Sequence, residues 1–598
     1  MELILRRALV KANQISCLDF FLEAAARYPD ATCIWTRQQT YTWSQTRIHV
    51  AQYANFFHRN LLLGQASVCG FYLPNSATFL FAWLGLWAVG SAPAMINVNL
   101  SGSALINSLK VTGAKVLLTD GEKKVKERIE NARAEIEALG IKIVILGEKE
   151  KKEIEGAEEV EMVDESFRRD IKGRDPVAIF YTSGTTGYPK AVPMFHQTLG
   201  LRASMPPSAR HIRTGPDGDR WYTCLPLYHG TGAVTTMTAL LLGVCVAIAP
   251  SFSATAFWSD IRMSESTCFG YVGELPRYLL ATRPSELEKR HKIRHMYGNG
   301  MRPDVWGKFR ERFGVEEVTE IFNSTEMMLG LANYNKGSWG EGAVGVHGGI
   351  MRWLLRKKFV PVEVDFEINE IVRDQNGLAK KKNLEEGGEI LVGVSSEQDF
   401  AGYMGAEEAT MKKFVRDVLR KGDLFYRSGD ALRRDDEGRW WFIDRLGDTF
   451  RWKSENVSTA EVAEVIGKYP GVLEANVYGV VVPGHDGRAG AAAIDVEPTK
   501  RAEIDWADLA KYAGQHLPKY AVPVFVRLVG GNVGRSATHN HKQSKGSLRE
   551  EGVDPALKGT KVAGGDSDTI LWMPSKHDSY VPFRSKDWES LVQGSAKL

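Results

Sequence analysis

Short apolar segments at 116–118, 143–145 and 178–181 recur between stretches with helical spacing, and this alternation constrains the chain more than any other feature. Neighbouring parallel strands need a crossover between them, so the repetition predicts mostly parallel sheets covered on both faces by helices. The expected class is α/β. Two uncharged stretches fit the same reading. From 77 to 96 no residue is charged, a length that could cross a bilayer. Gly90, Ser91 and Pro93 interrupt it, which predicts a buried helix over 77–89, a turn, and a short buried strand around 94–98. The region 221–259 is cut by Pro226, Gly230, Gly232, Gly243 and Pro250 and contains a β-branched run at 244–248. Both read as the interior of a large α/β domain, with monotopic membrane contact as the alternative.

At 598 residues and 43% hydrophobic, the chain can bury cores for more than one domain. A turn-rich segment at 444–449, Asp-Arg-Leu-Gly-Asp-Thr, separates a long α/β region from a shorter one with strands at 477–482 and 524–529. The expected division is a multi-subdomain N-terminal domain, 1–446, and a small α+β C-terminal domain, 447–598. Between 121 and 165, Lys and Glu at helical spacing read as a solvated helix and loop without chemistry. Beyond Pro555 the composition turns polar and irregular. A net charge of +3, with Lys and Arg spread throughout, argues against a nucleic-acid partner. Six widely spaced cysteines predict buried thiols in a reducing compartment. Arg6, Arg7 and Lys11 precede an apolar run that Asn13, Gln14 and Asp19 break, so no secretory signal is expected. Ala596, Lys597 and Leu598 are a variant of the Ser-Lys-Leu address, which predicts the peroxisomal import receptor as a partner. A peripheral membrane or cytoplasmic location is the alternative.

Directly after the strand that ends at Tyr181 come Thr182, Ser183, Gly184, Thr185, Thr186, Gly187, Tyr188, Pro189 and Lys190. Glycines let backbone N–H groups approach phosphate oxygens, hydroxyls donate further hydrogen bonds, and the lysine adds a point charge. Such a loop suits a polyphosphate. It is not a Walker loop: Gly184 and Gly187 are too close together, and Ala191 follows Lys190 where Ser or Thr would hold magnesium. Asn323, Ser324, Thr325 and Glu326 follow an apolar step at Ile321 and Phe322, which places a hydroxyl and a carboxylate at a strand end, where α/β crevices lie. Glu326 is a candidate magnesium ligand, against the plainer reading of a surface Thr-Glu pair. Asp430 closes Tyr-Arg-Ser-Gly-Asp after a glycine turn and could accept from both hydroxyls of a ribose.

The 182–190 loop resembles the signature of the adenylate-forming superfamily. Three further stretches resemble its fatty acid transport protein and very-long-chain acyl-CoA synthetase branch: 271–278 (Tyr-Val-Gly-Glu-Leu-Pro-Arg-Tyr), 298–306 (Gly-Asn-Gly-Met-Arg-Pro-Asp-Val-Trp) and 444–458 (Asp-Arg-Leu-Gly-Asp-Thr-Phe-Arg-Trp-Lys-Ser-Glu-Asn-Val-Ser). The resemblance covers nearly the whole chain. It implies ATP, Mg2+ and coenzyme A as cofactor and co-substrates, with the 181–190 segment on the phosphates, Glu326 on the metal, Thr325 near the α-phosphate, and Asp430 with Arg445 on the ribose. Asn323 and Ser324 stand where the family usually has Tyr-Gly or Gly-Ala, and Asp430 with Arg445 could equally be a surface salt bridge. His229 matches a position lining the carboxylate pocket, with a satisfied core histidine as the rival. Lys542 resembles the branch's catalytic lysine, although His539, Asn540 and His541 replace the usual Gly-Thr-Phe before it; Lys545 is the alternative. Those two histidines could suggest a metal, but a solvated loop is the better reading.

The implied reaction is fatty acyl-CoA synthesis through an acyl-adenylate, by a small domain that rotates between half-reactions about Gly447 and Asp448. The competing readings are a membrane-associated fatty acid transporter with coupled ligase activity, and a CoA ligase for an unusual carboxylic acid in a biosynthetic pathway. A peptide-synthetase adenylation module would be expected to carry a downstream carrier domain.

Overall fold

The computed structural model describes residues 16–156, 160–182, 188–205, 211–326, 328–365, 369–453, 455–483, 485, 487–497, 499–501, 503–529, 545–554, 568–575, 577–593 and 595–596. One sheet runs in the order Lys142–Leu146, Val116–Asp120, Val68–Tyr72, Ala92–Met95, Pro176–Thr182, Lys190–Phe195. Every neighbouring pair is parallel except the last, which is an antiparallel hairpin. A second sheet of eight strands is parallel through its centre, where Glu317–Phe322, His295–Asn299, Cys268–Val272 and Arg220–Thr223 lie side by side.

The uncharged stretch at 77 folds into interior, as its glycine and proline breaks predict. The helix Ala77–Ala88 buries every position but one, and the indoles of Trp83 and Trp87 both donate to the Val177 carbonyl at 2.9 Å. Gly85 lets the helix Trp43–Leu61 approach closely, because a Cβ there would meet Tyr53 Cβ at 3.0 Å. The strand expected at 94–98 lies at Ala92–Met95 instead, and the one expected at 477–482 spans Val472–Val480. No helix among the described residues is long and apolar enough to cross a membrane. The six cysteines are all buried and unpaired.

Mostly parallel sheets describe only part of the large domain. A third sheet, holding Phe359–Val362, Gly388–Gly393, Leu424–Arg434 and Arg439–Arg445, is antiparallel. The last two strands are joined by a turn at 435–438 that ends on Gly438 at φ +90°, far too short for a parallel crossover.

A final sheet contains Val472–Val480, Ala489–Val496, Phe525–Leu528, Thr569–Trp572 and Val581–Pro582, flanked by Thr459–Gly467, Trp506–His516 and Ser585–Val592. The segment past 555 is therefore not uniformly irregular. Ile570, Leu571, Trp572, Tyr580, Phe583 and Leu591 are buried in this core, and the consecutive apolar run Ile570–Leu571–Trp572 pairs with Phe525–Leu528. Leu446 packs with Val360 and Leu391 of the large domain, whereas Phe450 packs with Val477 and Ala491 of the small one. Arg302 bridges the two, donating to the carbonyls of Ala463 and Ala475.

Candidate active site

The two strands that flank the glycine-rich segment are antiparallel neighbours. Thr182 pairs with Lys190 and Tyr181 with Ala191, so backbone pairing fixes both ends of the loop. Ser183, Gly184, Thr185, Thr186 and Gly187 lie outside the described residues. Tyr188 is exposed, while Thr182, Pro189 and Lys190 are half-buried. Tyr181 does not face the loop. Its hydroxyl donates to the Ser108 carbonyl at 2.7 Å, and burial pushes the phenol's pKa up, so it anchors the strand instead of reaching a phosphate.

Lys190 meets Glu326 through a residue that sequence reasoning missed. Its Nζ lies 4.9 Å over the ring of Tyr403, and the Tyr403 hydroxyl donates to Glu326 Oε1 at 2.6 Å. Tyr403 is buried, and burial followed by the Glu326 charge raises its phenol pKa, which keeps it a proton donor to the carboxylate. The Met404 amide donates to the Ala191 carbonyl at 2.9 Å, which fastens the Tyr403 segment to the hairpin. Behind it, Tyr426 is raised first by burial and then by the charges of Glu326, Tyr403 and Asp430. One buried phenol thus lies within electrostatic reach of both candidate carboxylates.

Asp430 and Arg445 are register partners across Leu424–Arg434 and Arg439–Arg445, with Arg445 Nε 3.6 Å from Asp430 Oδ1. The Arg445 side chain is 60% exposed and the Asp430 side chain only 14%, so the arginine can swing while the carboxylate stays fixed. No turn precedes Asp430: Gly429, at φ +77°, lies within the strand Leu424–Arg434 where its register against Gly388–Gly393 shifts, and its amide donates to Glu389 Oε1 at 3.1 Å. Glu389 is buried and gripped by Arg427 at 2.8 Å, so this ion pair positions the candidate ribose contact. Neither residue was a sequence candidate.

The strand Glu317–Phe322 delivers the Asn323–Glu326 turn at its carboxyl end. Ser324 is exposed, whereas Asn323, Thr325 and Glu326 are half-buried. Asn323 Oδ1 is buried and has no hydrogen-bond partner among the described residues. A buried acceptor left unpaired is costly unless a ligand satisfies it. On the same strand Glu320 points inward. It accepts from the Gly300 amide at 2.5 Å, from the Met301 amide at 3.3 Å and from the Tyr271 hydroxyl. Burial pushes the Glu320 carboxyl up to about 8, because no cation offsets the lost water. Gly298 is required beside it, since a Cβ there would meet the Tyr271 carbonyl oxygen at 2.1 Å.

His229 is half-buried at the start of the helix Gly230–Leu241, beside the Tyr228 ring at 4.9 Å. Two residues on, the Thr231 hydroxyl donates to Asn299 Oδ1 at 3.2 Å, which brings this helix start to the ends of the same parallel strands. Lys542 lies outside the described residues, as do His539, Asn540, His541, Lys597 and Leu598. The alternative lysine, Lys545, is buried away from the strand ends. Its Nζ is 3.6 Å from Asp448 Oδ2 and donates to the Thr459 hydroxyl, and burial lowers its pKa. Gly447 has open space around its Cβ position and no positive φ, so glycine is not demanded there in this conformation.

No group of three His, Cys, Asp or Glu among the described residues could hold a metal by itself. Glu326 alone suits magnesium, which binds through one or two carboxylates together with substrate phosphates and water.

The AMP-binding enzyme family matches residues 21–403. The chain belongs to that family. Isopenicillin N epimerase component 1 of Hapsidospora chrysogena is 42% identical over 98% of this chain and 91% of its own length. The very long-chain fatty acid transport protein of Cochliobolus heterostrophus is 38% identical over 88% of this chain and 79% of its own length. ATP-bound MatB of Rhodopseudomonas palustris has the same fold, with a TM-score of 0.72 over 90% of this chain and 99% of that one at 21% identity. The chain shares that family with very long-chain and long-chain fatty acid transport proteins.

Proposed function

We propose that the protein activates a long- or very-long-chain fatty acid with ATP and passes the acyl group to coenzyme A. The observation that carries this is the convergence of Lys190, Tyr403 and Glu326 at the foot of the glycine-rich hairpin. A carboxylate approaching the α-phosphate brings two anions together, so the site must first supply positive charge. Lys190 and Lys542 supply it. Tyr403 orients both partners of the first contact, with its ring under the ammonium and its hydroxyl on Glu326. The hydroxyls of Thr182, Ser183, Thr185 and Thr186 and the amides of Gly184 and Gly187 hold the outer phosphates. Asp430 accepts the ribose hydroxyls, Arg445 turns onto the same sugar, and Thr325 stands by the α-phosphate. His229 lines the acid pocket. Magnesium held by Glu326 would offset phosphate charge.

The acid's oxygen bonds to the α-phosphorus, the bond to the β-phosphate breaks, and pyrophosphate leaves. The coenzyme A thiolate then bonds to the acyl carbon as AMP departs. The second step needs a different face of the small domain, so residues 447–598 act as a lid that turns about Gly447 and Asp448. We assign the protein to peroxisomes, through Ala596, Lys597 and Leu598.

A second reading is an unusual acid of a biosynthetic pathway. The 42% identity to an isopenicillin N epimerase component favours it, as does the Asn323-Ser324 departure beside the nucleotide turn. A panel of medium- to very-long-chain acids, aryl acids and isopenicillin N, scored by pyrophosphate release and acyl-CoA formed, separates the two. Lys542→Ala should lower adenylation by about a hundredfold or more while sparing thioester formation from preformed acyl-adenylate. Absence of ATP-dependent pyrophosphate release with every acid would overturn the proposal.

A further inference from the structure

The helix Gly349–Leu355 meets the core only through Leu355, which is half-buried. Its sequence, Gly-Ile-Met-Arg-Trp-Leu-Leu, has five apolar side chains in seven positions, yet none of its residues is buried. Ile350 is 79% exposed, Trp353 63% and Leu354 57%. Contiguous apolar surface of this kind marks an interaction site, because leaving it in water forfeits the hydrophobic free energy of each side chain.

What surrounds the helix is cationic. Arg356, Lys357 and Lys358 follow it directly and are exposed. The Arg356 guanidinium sits 4.6 Å over the Trp353 ring, a cation–π contact that holds the indole beside the charge. Arg352 turns back to the Asp436 carbonyl and ties the helix to the body. From Arg356 and Lys357 a cleft of about 1420 Å³ opens inward, lined also by Lys381, Lys382, Arg416 and Arg420. Its acidic residues are already engaged. Glu397 pairs with Arg416 at 2.9 Å, and Asp423 accepts the amides of Val418, Leu419 and Arg420.

We propose that this face docks the protein on an anionic phospholipid bilayer. Ile350, Trp353 and Leu354 enter the headgroup–acyl boundary, while Arg356, Lys357 and Lys358 meet the lipid phosphates. A seven-residue helix is far too short to span, so it lies in the interface plane. A second copy of the chain fits less well, because a two-fold contact through this helix would set its cations against each other. The inference is independent of the ligase reading, since binding to lipid requires no catalysis.

The test is flotation of the full chain with phosphatidylcholine vesicles, with and without phosphatidylserine. The wild type should float only with the anionic vesicles and should release as salt is raised. Trp353→Ser combined with Leu354→Ser should lower partitioning at least about tenfold. Lys357→Gln and Lys358→Gln should each lower it about fivefold. An unchanged unfolding midpoint confirms that the variants fold. Equal binding to neutral vesicles, or variants that float as the wild type does, would overturn the proposal. So would sedimentation revealing a dimer that Trp353→Ser dissociates, with no vesicle binding.

Discussion

Glu320 ties two distant motifs together with one carboxyl. Its oxygens hold the Gly300 and Met301 amides and the Tyr271 hydroxyl, so the loop that leaves the strand His295–Asn299 depends on it. The unfolded chain releases this proton near pH 4.5, whereas the buried side chain keeps it until about 8. The native state therefore binds the proton more tightly. Stability from this group is fully present below about pH 4.5 and is lost as pH climbs to about 8. Glu320→Gln retains a neutral acceptor for the Gly300 amide and should flatten that slope in urea unfolding followed from about pH 5 to about pH 9. If wild type and variant lose stability in parallel over that range, the slope has another source. At this scale the sequence named Lys190, Glu326, Asp430 and Arg445, because each sits in a short string whose chemistry is local. It could not name Tyr403, whose bond to Glu326 spans 77 positions and exists only once the two segments pack.

Between Arg439–Arg445 and Thr459–Gly467 the chain passes from one core to the other, and a cluster of charges fastens this passage. Arg549, on the short helix Gly546–Glu551, donates to the Gly447 carbonyl at 3.0 Å and to Asp448 Oδ1 at 2.8 Å, while Lys545 caps the same helix and pairs with Asp448. Asp444 is buried alongside, accepting the Thr459 amide at 2.6 Å and the Arg445 amide at 2.8 Å. Hydrogen bonds to charged groups contribute about 1.5–3 kcal/mol each, so this latch fixes the strap at 447–448 on the small domain, while Asp444 ties Thr459 to the strand before the strap. Asp448→Ala removes the carboxylate that both cations share. Single-turnover rates of pyrophosphate release and of thioester formation should then change in ratio by about tenfold, the equivalent of one such bond. Equal effects on both half-reactions would remove the hinge from consideration. Turn residues in the sequence point to this segment, but the latch joins positions 101 residues apart and has no local signature.

One hydrophobic cluster lies wholly beyond residue 449 and the other clusters wholly before 447, so two bodies are joined by a strap and by the Arg302 bridge. The far end of the chain belongs to the second body. Ala596 is half-buried against that core, and its amide donates to the Ser590 carbonyl at 3.0 Å. A receptor that reads 596–598 would meet Ala596 beside that core. Deleting these three residues should leave ligase activity unchanged and move an N-terminally labelled protein from peroxisomes to the cytosol. Retention of the truncated protein in peroxisomes would discard the address.

The sequence by itself determined the α/β class, the buried helix after residue 77 and the strand-end position of 323–326, because hydrophobic period, glycine and turn chemistry act over a few residues. Tertiary structure decided the rest. Only packing places Tyr403 between a lysine and a glutamate, turns Tyr181 toward Ser108, leaves Asn323 Oδ1 without a partner among the described residues, and leaves Ile350, Trp353 and Leu354 uncovered. Burial and long-range hydrogen bonding depend on which distant surfaces meet, and no local pattern along the chain encodes that meeting.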